Sequence, residues 1–575
     1  MKTSIQEKKG KRWMLAEDNP EQARRLQEIL GVSGLLATLL ANRGIADPGE
    51  AVEFLRPDLK NLHDPNLFRD MDKAVNRIGR AIRGEDKVLL YGDYDVDGIS
   101  GICFLTKLLK PMMPKRLFYY IPKRMEEGYG LHASVIEKAR RRGVSLIITV
   151  DCGISSVEAV QAAGSLGMDV IVTDHHEPQG PAPDCLAVIN PKLKEEKYPF
   201  RNLAGVGVVF KLGQALADKL YVTPGDLWDN LDLVALGTVA DIVPLKGENR
   251  IFVKYGLDRL NNTKNIGLKA LMTATRLQIP INTYQVGYIL APRINATGRL
   301  GDPGLSVKLL LTQNQDEAFQ LAQDLCSMNE KRQAIEGEVM EEVLAIIRKD
   351  PDIFNRYCWV FANEGWHIGV IGIVASKLIE QFYRPVILIS LEGEQGRGSG
   401  RSIPGFQLFE GLQTCADLFT NFGGHELAAG LTMPRRNVPE LQERLSRLAR
   451  SRLSEEMLVP SLFVEKEVPL AELDLKAYEE LGLLEPHGCE NPKPALLAQK
   501  VNLLHYQPVG ENGKHLKIRV KAENKEMEGI GFNMGGWCAE LSSANLVDLV
   551  FYAEENNWQG KRAVQLNLRD IRIAD

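Results

Sequence analysis

Three aspartates, Asp93, Asp95 and Asp97, follow directly after a short apolar run, Lys87–Tyr91. The run is bounded by polar and glycine residues, a pattern typical of a buried strand in a parallel sheet. Carboxylates this close repel one another, and core packing does not require them. The stretch therefore predicts a strand whose end gathers carboxylates around a cation.

Two other interpretations fit part of this stretch. An acidic, solvated turn is one, because Asp and Gly are ordinary turn residues. An EF-hand calcium loop is the other, because the three aspartates and Gly98 occupy its positions one, three, five and six. That loop needs a glutamate at position twelve, where this chain has Phe104. The calcium loop is therefore rejected, and the turn stays open on this stretch alone.

Strands alternate with helices from Lys87 onward. The predicted strands cover 87–91, 117–121, 146–150 and 170–173, and the predicted helices cover 99–109, 133–142 and 155–166. This alternation predicts a doubly wound parallel α/β sheet.

Polar residues of one kind end three of these strands. Asp151 follows the strand at 146–150, and Asp174, His175 and His176 follow the strand at 170–173. Ligands of parallel α/β sheets bind outside the carboxyl ends of the strands. We therefore expect a shared metal centre with carboxylate and imidazole ligands at this edge.

Asp241 lies near the end of an apolar helical stretch, 231–244. An unpaired buried carboxylate costs several kcal/mol, so Asp241 needs a partner, either the metal centre or an arginine. Oxygen-rich sites with some imidazole favour Mn²⁺ or Mg²⁺ over Zn²⁺. The number of ligands favours two ions, which at about 4 Å apart stabilise both the attacking and the leaving oxygen at phosphorus.

The remaining chain predicts further domains. Helices are expected at 21–42, after Asp47-Pro48, and at 70–84, and 306–349 is compatible with one continuous helix. A second α/β pattern begins near 352, and alternating runs after 457 predict an antiparallel barrel of the OB-fold type. The expected domains are a helical lead-in at 1–84, a catalytic domain at 85–304, a connecting helix at 305–351, a substrate-binding domain at 352–456 and a nucleic-acid-binding barrel at 457–575.

Several polar stretches lie outside the strand ends. The glycine-rich stretches 396–402 and 422–430 can form an anion cradle, although surface turns share that pattern. Arg293, Asn295 and Arg299 lie in what we interpret as a loop bounded by proline and glycine, and ion pairing is the alternative role. The basic residues at 517, 519 and 521 suit a single-strand groove or, equally, a solvated sheet face.

Composition excludes little. The 70 basic and 75 acidic residues give a net charge of −5, so a polyanionic partner would have to bind at local patches of basic residues. Eight cysteines without a Cys-x-x-Cys pair argue against zinc ribbons and disulfides and favour a reducing cytoplasm. We expect no membrane segment, because no apolar stretch is long enough to span a bilayer.

As a set, the motifs resemble the DHH superfamily of phosphoesterases, and within it the bacterial exonucleases specific for single-stranded DNA. The matching stretches are 92–98, 124–131, 150–155, 173–176, 203–208, 237–244, 291–299, 366–376, 398–402 and 423–425. The resemblance implies a parallel-sheet DHH domain joined by a long helix to a smaller α/β DHHA1 domain, with a C-terminal OB-fold.

The resemblance also implies an activity. It is a 5′-to-3′ exonuclease that degrades single-stranded DNA to mononucleotides with Mn²⁺ or Mg²⁺, in recombination and repair in the bacterial cytoplasm. A monomer is expected, with a single-strand DNA-binding protein and a helicase as further partners. Alternatives are a phosphodiesterase of cyclic dinucleotides or short oligoribonucleotides, a non-enzymatic single-strand binder, and an unrelated two-metal phosphatase. The long connector and the barrel favour a polymer substrate.

Roles carry over residue by residue from the same resemblance. The implied metal ligands are Asp95, Asp97, Asp151, His175 and Asp241, with Asp151 bridging two ions and Asp93 in support. His176 is implied to contact the scissile phosphate or a metal-held water. Implied substrate contacts are Arg124, Ser399 and Arg401 on the 5′-phosphate, Tyr129 stacked on a terminal base, and Arg293, Asn295, Arg299, His367 and His425 along the nucleotide path. Tyr91 departs from the histidine that small DHH phosphodiesterases carry there, which questions how the first ion is held.

Overall fold

The computed structural model describes residues 10–124, 126–128, 130–558 and 560–574. They form two compact units. One unit comprises Leu15–Met328 and Val464–Asp575, and the other comprises Asn329–Phe463 with the described residues before Leu15. Among the described residues, no helix combines the length and apolar character that crossing a membrane requires.

The chain begins with a short strand and three helices. They are β1 (Arg12–Leu15), α1 (Pro20–Leu30), α2 (Gly34–Asn42) and α3 (Pro48–Leu55). The prediction of one helix over 21–42 is wrong, because Gly31 ends α1 with φ 67°. Ser33 then starts α2, its hydroxyl accepting a hydrogen bond from the Leu36 N–H at 3.2 Å.

A five-stranded parallel sheet forms the centre of the first unit. Its elements are α4 (Met71–Arg83), β2 (Lys87–Gly92), α5 (Val96–Leu109), β3 (Leu117–Tyr120), α6 (Ala133–Arg141), β4 (Val144–Val150), α7 (Val157–Ser165), β5 (Asp169–Thr173) and β6 (Ala187–Ile189). The strand order is β3-β2-β4-β5-β6, and every pairing is parallel. The predicted doubly wound sheet is confirmed, with β6 as an additional strand.

Helices follow the sheet. They are α8 (Gly205–Asp218), α9 (Pro224–Asp229), α10 (Leu231–Ala240), α11 (Gly247–Asn261), α12 (Ile266–Ala274), α13 (Thr283–Gln285), α14 (Ala291–Leu300) and α15 (Gly304–Leu311), with a π-helical turn at Val286–Leu290. The loop predicted around Arg293–Arg299 is wrong, because these residues lie in α14. The π-helical turn leads directly into this helix, since Leu290 and Ala291 are both helical, and Pro292, which has no N–H to donate, lies just after that turn.

The long connector is interrupted. Its second part, α16 (Gln315–Lys349), runs for 35 residues, but the continuous helix predicted over 306–349 is wrong at Thr312–Asn314. Thr312 is extended, with ψ 143°. Asn314 then begins α16, because its side-chain oxygen accepts a hydrogen bond from the Glu317 N–H at 3.0 Å.

The second unit contains a mixed sheet with helices. Its elements are β7 (Trp359–Glu364), α17 (Ile368–Phe382), β8 (Val386–Glu392), β9 (Gln395–Arg401), α18 (Leu408–Gln413), β10 (Asn421–Gly424), β11 (Ala428–Pro434), α19 (Val438–Arg452) and β12 (Ser461–Val464). The sheet order is β10-β11-β9-β8-β7, and β12 pairs with β1.

The glycine-rich stretches form strands of this sheet. In β9, alternate glycines face the apolar core: a Cβ on Gly396 would lie 2.7 Å from Ile389, and a Cβ on Gly398 2.8 Å from Leu431. The other face of β9 presents Ser399 and Arg401, because side chains alternate along a strand. Close packing therefore explains these glycines, and the polar residues between them remain available for a ligand.

The C-terminal region is a closed barrel. Its elements are β13 (Lys466–Glu467), α20 (Leu475–Leu481), β14 (Leu496–Val509), β15 (His515–Ala522), β16 (Lys525–Gly531), α21 (Trp537–Glu540), β17 (Leu546–Trp558) and β18 (Lys561–Ile573). Strands β14-β15-β16-β18-β17 pair in that order, and β17 returns to β14. The predicted barrel is confirmed. Its β16–β18 pair is parallel and its other pairs are antiparallel, while the short β13 adds to β14 in parallel. On β15, Lys517 and Lys521 form ion pairs with Glu528 and Glu526 of β16, as on a solvated sheet face.

The N-terminal helices and the barrel share one apolar core. Leu26, Leu36 and Leu40 belong to the same buried cluster as Leu496 and Phe551 of the barrel. The first helices are thus a covering layer of the barrel, although more than 400 residues of sequence separate them.

Arg250 links the helices that follow the parallel sheet to the barrel region within this unit. It is 1% exposed on α11. Its guanidinium donates hydrogen bonds to the carbonyls of Phe54, Leu483 and Glu485 at 2.7, 3.1 and 2.7 Å, and to that of Leu484 at 3.0 Å. The Leu484 carbonyl also accepts from Asn491 Nδ2 at 2.8 Å, so the arginine fork is the side-chain donor that matters for the carbonyls of Phe54, Leu483 and Glu485.

We predict that Arg250→Met destabilises the protein by about 3–5 kcal/mol, because it leaves several buried carbonyls without donors. The midpoint of urea unfolding, followed by circular dichroism, measures the loss. Arg259→Met on the same helix is the matched control, since Arg259 makes a half-exposed ion pair with Asp229 and should cost less than about 1 kcal/mol. Equal midpoints for the two variants would contradict this role of Arg250.

Candidate metal centre

The loop after β2 places its aspartates by backbone hydrogen bonds. Asp95 begins α5, and its carboxylate accepts from the N–H groups of Asp97 and Gly98 at 3.0 and 3.2 Å. Asp97 lies in the first turn, and its two oxygens accept from the N–H groups of Gly205 and Val206 at 2.6 and 2.8 Å. The starts of two helices therefore fix these carboxylates.

The other strand ends complete the cluster. His175 Nε2 lies 3.1 Å from Asp151 Oδ1, 3.5 Å from Asp241 Oδ2 and 3.9 Å from Asp97 Oδ2. Ligand atoms within 4.8 Å of one another form three overlapping groups: Asp97/His175/Asp241, Asp93/Asp95/Asp151 and Asp151/His175/His176. The structure thus brings together every residue predicted for the metal centre, and Asp151 belongs to two of the groups.

The donor atoms fit a hard divalent cation. Asp93 Oδ1, Asp241 Oδ2 and His175 Nε2 are buried and form no hydrogen bond with any residue that the structure describes. Buried polar atoms are otherwise almost always paired. A set rich in carboxylate oxygen, with imidazole and no thiolate, suits Mn²⁺ or Mg²⁺. The donor set of this cluster therefore fits such ions.

Burial and mutual repulsion shape the electrostatics of the cluster. Burial, together with neighbouring carboxylates, raises the pKa of Asp93, Asp151 and Asp241 well above the ordinary value and raises the pKa of Asp97 to about 7. Burial lowers the pKa of His175 to about 3, so its imidazole is neutral, the form that binds metals. The carboxylates need a cation to be ionised together at neutral pH.

Glycines let the helices approach the carboxylates. A Cβ on Gly237 of α10 would lie 2.8 Å from Asp97 Oδ1, and a Cβ on Gly205 of α8 would lie 2.5 Å from Asp151 Oδ1. Both distances are too short for a real side chain. The carboxylates can occupy these positions only because residues 237 and 205 are glycines without a side chain.

Two residues at the cluster adopt left-handed backbone conformations. Asp151 has φ 62° and Ile242, directly after Asp241, has φ 60°. Such conformations cost about 1–3 kcal/mol for non-glycine residues and persist where the surrounding structure enforces them. The backbone strain is therefore located at Asp151 and directly after Asp241, two carboxylates of the cluster.

Asp174 is a positioning residue that the sequence interpretation did not assign. Its carboxylate accepts hydrogen bonds from the N–H groups of Ile154, His175 and His176 at 2.9, 2.7 and 3.1 Å, and it lies 2.8 Å from His176 Nδ1. Burial opposes its charge, but the bond to His176 outweighs burial and lowers the pKa of Asp174, while that contact raises the pKa of His176. The signal in the sequence is an aspartate directly before the two histidines.

Predicted substrate residues of the first unit surround the same loop. Arg124 lies over the Tyr94 ring, with its Cζ 5.2 Å from the ring centroid. The side-chain oxygen of Asn295 accepts from the Val96 N–H at 3.2 Å, so Asn295 supports the start of α5. Arg293 donates to the Ile289 carbonyl at 2.6 Å. Arg299 is half-buried on the same helix, α14.

Tyr91 has a structural partner of its own. Its hydroxyl donates to the Gly130 carbonyl at 2.8 Å, and its buried ring lies in the apolar cluster of Leu131 and Val135. It therefore anchors the segment that carries Arg124, while Asp93 stands with Asp95 and Asp151 among the candidate ligands. Tyr129 lies outside the described residues.

The second unit carries the remaining predicted residues. His367 begins α17, its Nδ1 accepting from the Gly369 N–H at 3.1 Å. On β9, Arg401 Nη1 donates to Ser399 Oγ at 3.3 Å. A Cβ on Gly372, the fifth residue of α17, would lie 2.9 Å from Ser399 Oγ, so the second turn of this helix adjoins that pair. His425 is exposed in the turn between β10 and β11.

Comparison with known families matches three parts of the chain. Residues 87–238 match the DHH family N-terminal domain, residues 354–451 match the DHHA1 domain, and residues 464–570 match the RecJ OB domain. Together these matches span the sheet with its metal cluster, the second unit's sheet and the barrel.

Similar proteins cover nearly the whole chain. The single-stranded-DNA-specific exonuclease RecJ of Bacillus subtilis is 37% identical over 98% of this chain and 71% of its own length. The structure of Thermus thermophilus RecJ with Mn²⁺ matches with a TM-score of 0.85 at 29% identity, over 98% of this chain and 80% of that one. The same protein with Mg²⁺ matches with a TM-score of 0.79 at 28% identity, over 98% and 79%.

We predict that Gly237→Ala weakens Mn²⁺ binding at least about tenfold, because its Cβ would displace the Asp97 carboxylate. Calorimetric titration with Mn²⁺ measures the affinity. Gly337→Ala is the control: this glycine lies within α16 with no atom near its added Cβ, so Mn²⁺ affinity should stay unchanged while stability rises by up to about 1 kcal/mol. Unchanged Mn²⁺ affinity in Gly237→Ala would show that the close approach is not required.

We also predict that metal and pH act together on stability. In chelator, the folded state holds protons on Asp97 that the unfolded state releases, because its folded pKa of about 7 exceeds the ordinary 3.8. Stability should therefore fall as pH rises through that window. Mn²⁺ replaces these protons, so the rise in melting temperature caused by a fixed Mn²⁺ concentration should grow from pH 5 toward pH 7. A concentration one hundred times Kd corresponds to about 2.7 kcal/mol of added stability.

Asp241→Asn tests the origin of that effect. The Asp241 carboxylate is repelled by Asp97 and Asp95, so the amide should leave melting in chelator equal or higher while most of the Mn²⁺-induced gain disappears. If Mn²⁺ raises the melting temperature of Asp241→Asn as much as that of the unchanged protein, the ion binds elsewhere.

Proposed function

Because the chain belongs to the RecJ family of single-stranded-DNA-specific exonucleases, we propose that it removes nucleotides one at a time from the 5′ end of single-stranded DNA, using Mn²⁺ or Mg²⁺. The class of activity, a metal-dependent exonuclease on single strands, follows from family membership. The polarity, the mononucleotide product, the use of two ions and the role of each residue are the proposed parts.

One observation supports the proposal above all others. Three buried carboxylates, two half-buried ones and a neutral imidazole converge at one sheet edge, and Asp93 Oδ1, Asp241 Oδ2 and His175 Nε2 have no hydrogen-bond partner among the described residues. A fold does not retain such a cluster for stability, since like charges at these distances oppose folding. Binding of divalent cations, which offsets the repulsion between the carboxylates, accounts for this cluster.

The residues of the cluster divide into binding and orienting roles. Bound Mn²⁺ or Mg²⁺ supplies Lewis acidity for displacement at phosphorus. We assign Asp95, Asp97, Asp151, His175 and Asp241 as ligands, Asp151 as the one shared between two ions, and Asp93 as a supporting ligand. The amides of Gly205 and Val206 hold Asp97 in one orientation, so its ligand geometry exists before any ion binds.

His176 is the member of the cluster that faces outward. Its side chain is 40% exposed, against 7% for His175. Asp174 holds the His176 ring at Nδ1 and raises its pKa, which favours the cationic form. We therefore assign His176 to the scissile phosphate, where a fixed donor stabilises developing negative charge.

The second unit offers a cradle for a phosphate. The second turn of α17, a 15-residue helix, adjoins Ser399 and Arg401. A helix N-terminus, a hydroxyl and a guanidinium together form a typical anion site. We assign Ser399 and Arg401 to the 5′-phosphate, with His367 and His425 near the nucleotide path. In the first unit, we assign Arg124 to a 5′-phosphate contact, Tyr129 to a terminal base, and Arg293, Asn295 and Arg299 to the path.

The finer expectations on partners and compartment stay predictions. They are a monomer in the bacterial cytoplasm, association with a single-strand DNA-binding protein and a helicase, and a role in recombination and repair. The eight cysteines form no disulfide, which is compatible with a reducing compartment. A phosphodiesterase of cyclic dinucleotides or short oligoribonucleotides is not favoured, because the chain also carries the RecJ OB domain.

End-labelled single strands test the proposal directly. With a label at the 3′ end, the purified protein should shorten strands stepwise from the 5′ end in Mn²⁺ and release mononucleotides, with no product in chelator. Shortening from the 3′ end would reject the polarity. Absence of any metal-dependent product would reject the nuclease function.

The phosphate cradle has its own prediction. Arg401→Ala should lower kcat/KM for 5′-phosphorylated strands about tenfold or more, since one charge-assisted hydrogen bond contributes about 1.5–3 kcal/mol. The ratio of kcat/KM for 5′-phosphorylated strands to kcat/KM for 5′-hydroxyl strands should fall as well. Arg447→Ala is the matched control, because Arg447 is 74% exposed on α19 in an ion pair with Glu443. An equal loss on both kinds of strand would assign Arg401 to folding instead.

A further inference from the structure

A large groove lies along the free edge of the parallel sheet. It has a volume of about 1160 Å³ and includes all four residues of β3, Leu117–Tyr120. β3 is the terminal strand of its sheet, and among the described residues it pairs only with β2. None of the residues assigned to the metal centre lines this groove.

The floor of the groove is apolar on both sides of the edge strand. Leu89, Val135 and Val144 line it and belong to the core on one face of the sheet, while Leu117 belongs to the core on the other. Phe118 is 41% exposed in the same groove. The side chains of an added strand point alternately to the two faces of the sheet. Those on either face would contact apolar surface in this groove.

The backbone of β3 offers strand pairing at Tyr119. The Arg116 carbonyl accepts from the Val88 N–H of β2 at 2.8 Å, so it faces the partner strand. Backbone groups alternate in direction along a strand, which turns the N–H and C=O of Tyr119 away from β2 and toward the groove. At Leu117, by contrast, the carbonyl already accepts from Lys110 Nζ at 2.8 Å.

The rim of the groove is basic. Its cationic side chains come from α5, α6, α15 and the turns that follow the first two: Lys107, Lys110, Lys138, Arg142 and Lys308. Glu317 is the acidic residue of the lining, and it is paired with Lys308 at 2.8 Å. The charge left over on the rim is therefore positive.

We propose that this groove binds an extended acidic peptide segment of a partner protein, which adds to the sheet beside β3. The edge strand would supply main-chain hydrogen bonds, the floor would take alternate apolar side chains, and the rim would meet carboxylates between them. The lining includes the exposed aromatic side chains of Phe118 and Tyr119, so the open edge of β3 is the feature that favours a peptide. A peptide backbone can pair with that edge as an added strand, whereas a nucleic acid cannot. The inference does not rest on the proposed exonuclease mechanism.

Synthetic peptides test the proposal on the full-length protein. The probe is a short fluorescein-labelled peptide in which Asp alternates with Phe and Ile, and its binding is followed by fluorescence anisotropy. We expect saturable binding, at least about tenfold weaker binding for the same sequence with Lys in place of Asp, and a similar loss when alternate backbone amides are N-methylated. The N-methylated probe tests strand addition without changing the protein.

Variants locate the site. Lys138→Glu combined with Arg142→Glu reverses two exposed rim charges and should weaken probe binding about tenfold or more, while exonuclease rates on single strands stay unchanged. The matched control is Lys254→Glu with Lys269→Glu, two exposed lysines on α11 and α12, which should leave probe binding unchanged.

Three results would overturn the proposal. They are no saturable binding of the Asp peptide, equal binding by the rim variant, and competition by a single-stranded oligonucleotide that depends on the same rim charges. The last result would identify the groove as a nucleic-acid surface.

Discussion

The mutual repulsion of buried carboxylates at one sheet edge is the constraint that organises the first unit. Asp93, Asp97, Asp151 and Asp241 share a volume in which burial and neighbouring charge raise the pKa of each. The fold opposes this repulsion with helix starts, backbone amides and glycines that allow helices to close around the carboxylates. A bound divalent cation neutralises this repulsion. The carboxylates that lower the stability of the fold in the absence of an ion therefore serve catalysis in its presence.

Rigidity around the cluster comes from elements with no ligand role. Asp174 collects three backbone N–H groups and one histidine, so it fixes the direction of the segment that carries both imidazoles. Asn295 supports the start of α5, and Tyr91 anchors the segment that follows β3. Ligands placed this way need little reorganisation when an ion or a phosphate arrives.

Long-range packing connects the ends of the chain. The first three helices complete the core of the C-terminal barrel, and Arg43 pairs with the 4%-exposed side chain of Glu465 at 2.8 Å. Arg250 then ties α11 to the segment before β14 through several carbonyls. The barrel therefore belongs to the same unit as the parallel sheet. Of the predicted helical lead-in, the first three helices pack as one layer of the barrel, whereas α4 packs in the core of the sheet.

The sequence by itself determined the parallel sheet, the strand ends that carry aspartate and histidine, and the barrel, because hydrophobic periodicity and strand-end polarity are local signals. Local signals did not show the break at Gly31, the interruption at Thr312–Asn314 or the helix at Ala291–Leu300, since caps and proline at a helix start resemble loop residues. Only the tertiary structure decided that Asp241 meets His175, that Asp174 orients His176, and that alternate glycines of β9 pack inward. Those outcomes depend on distances between residues far apart in sequence, which no local pattern encodes.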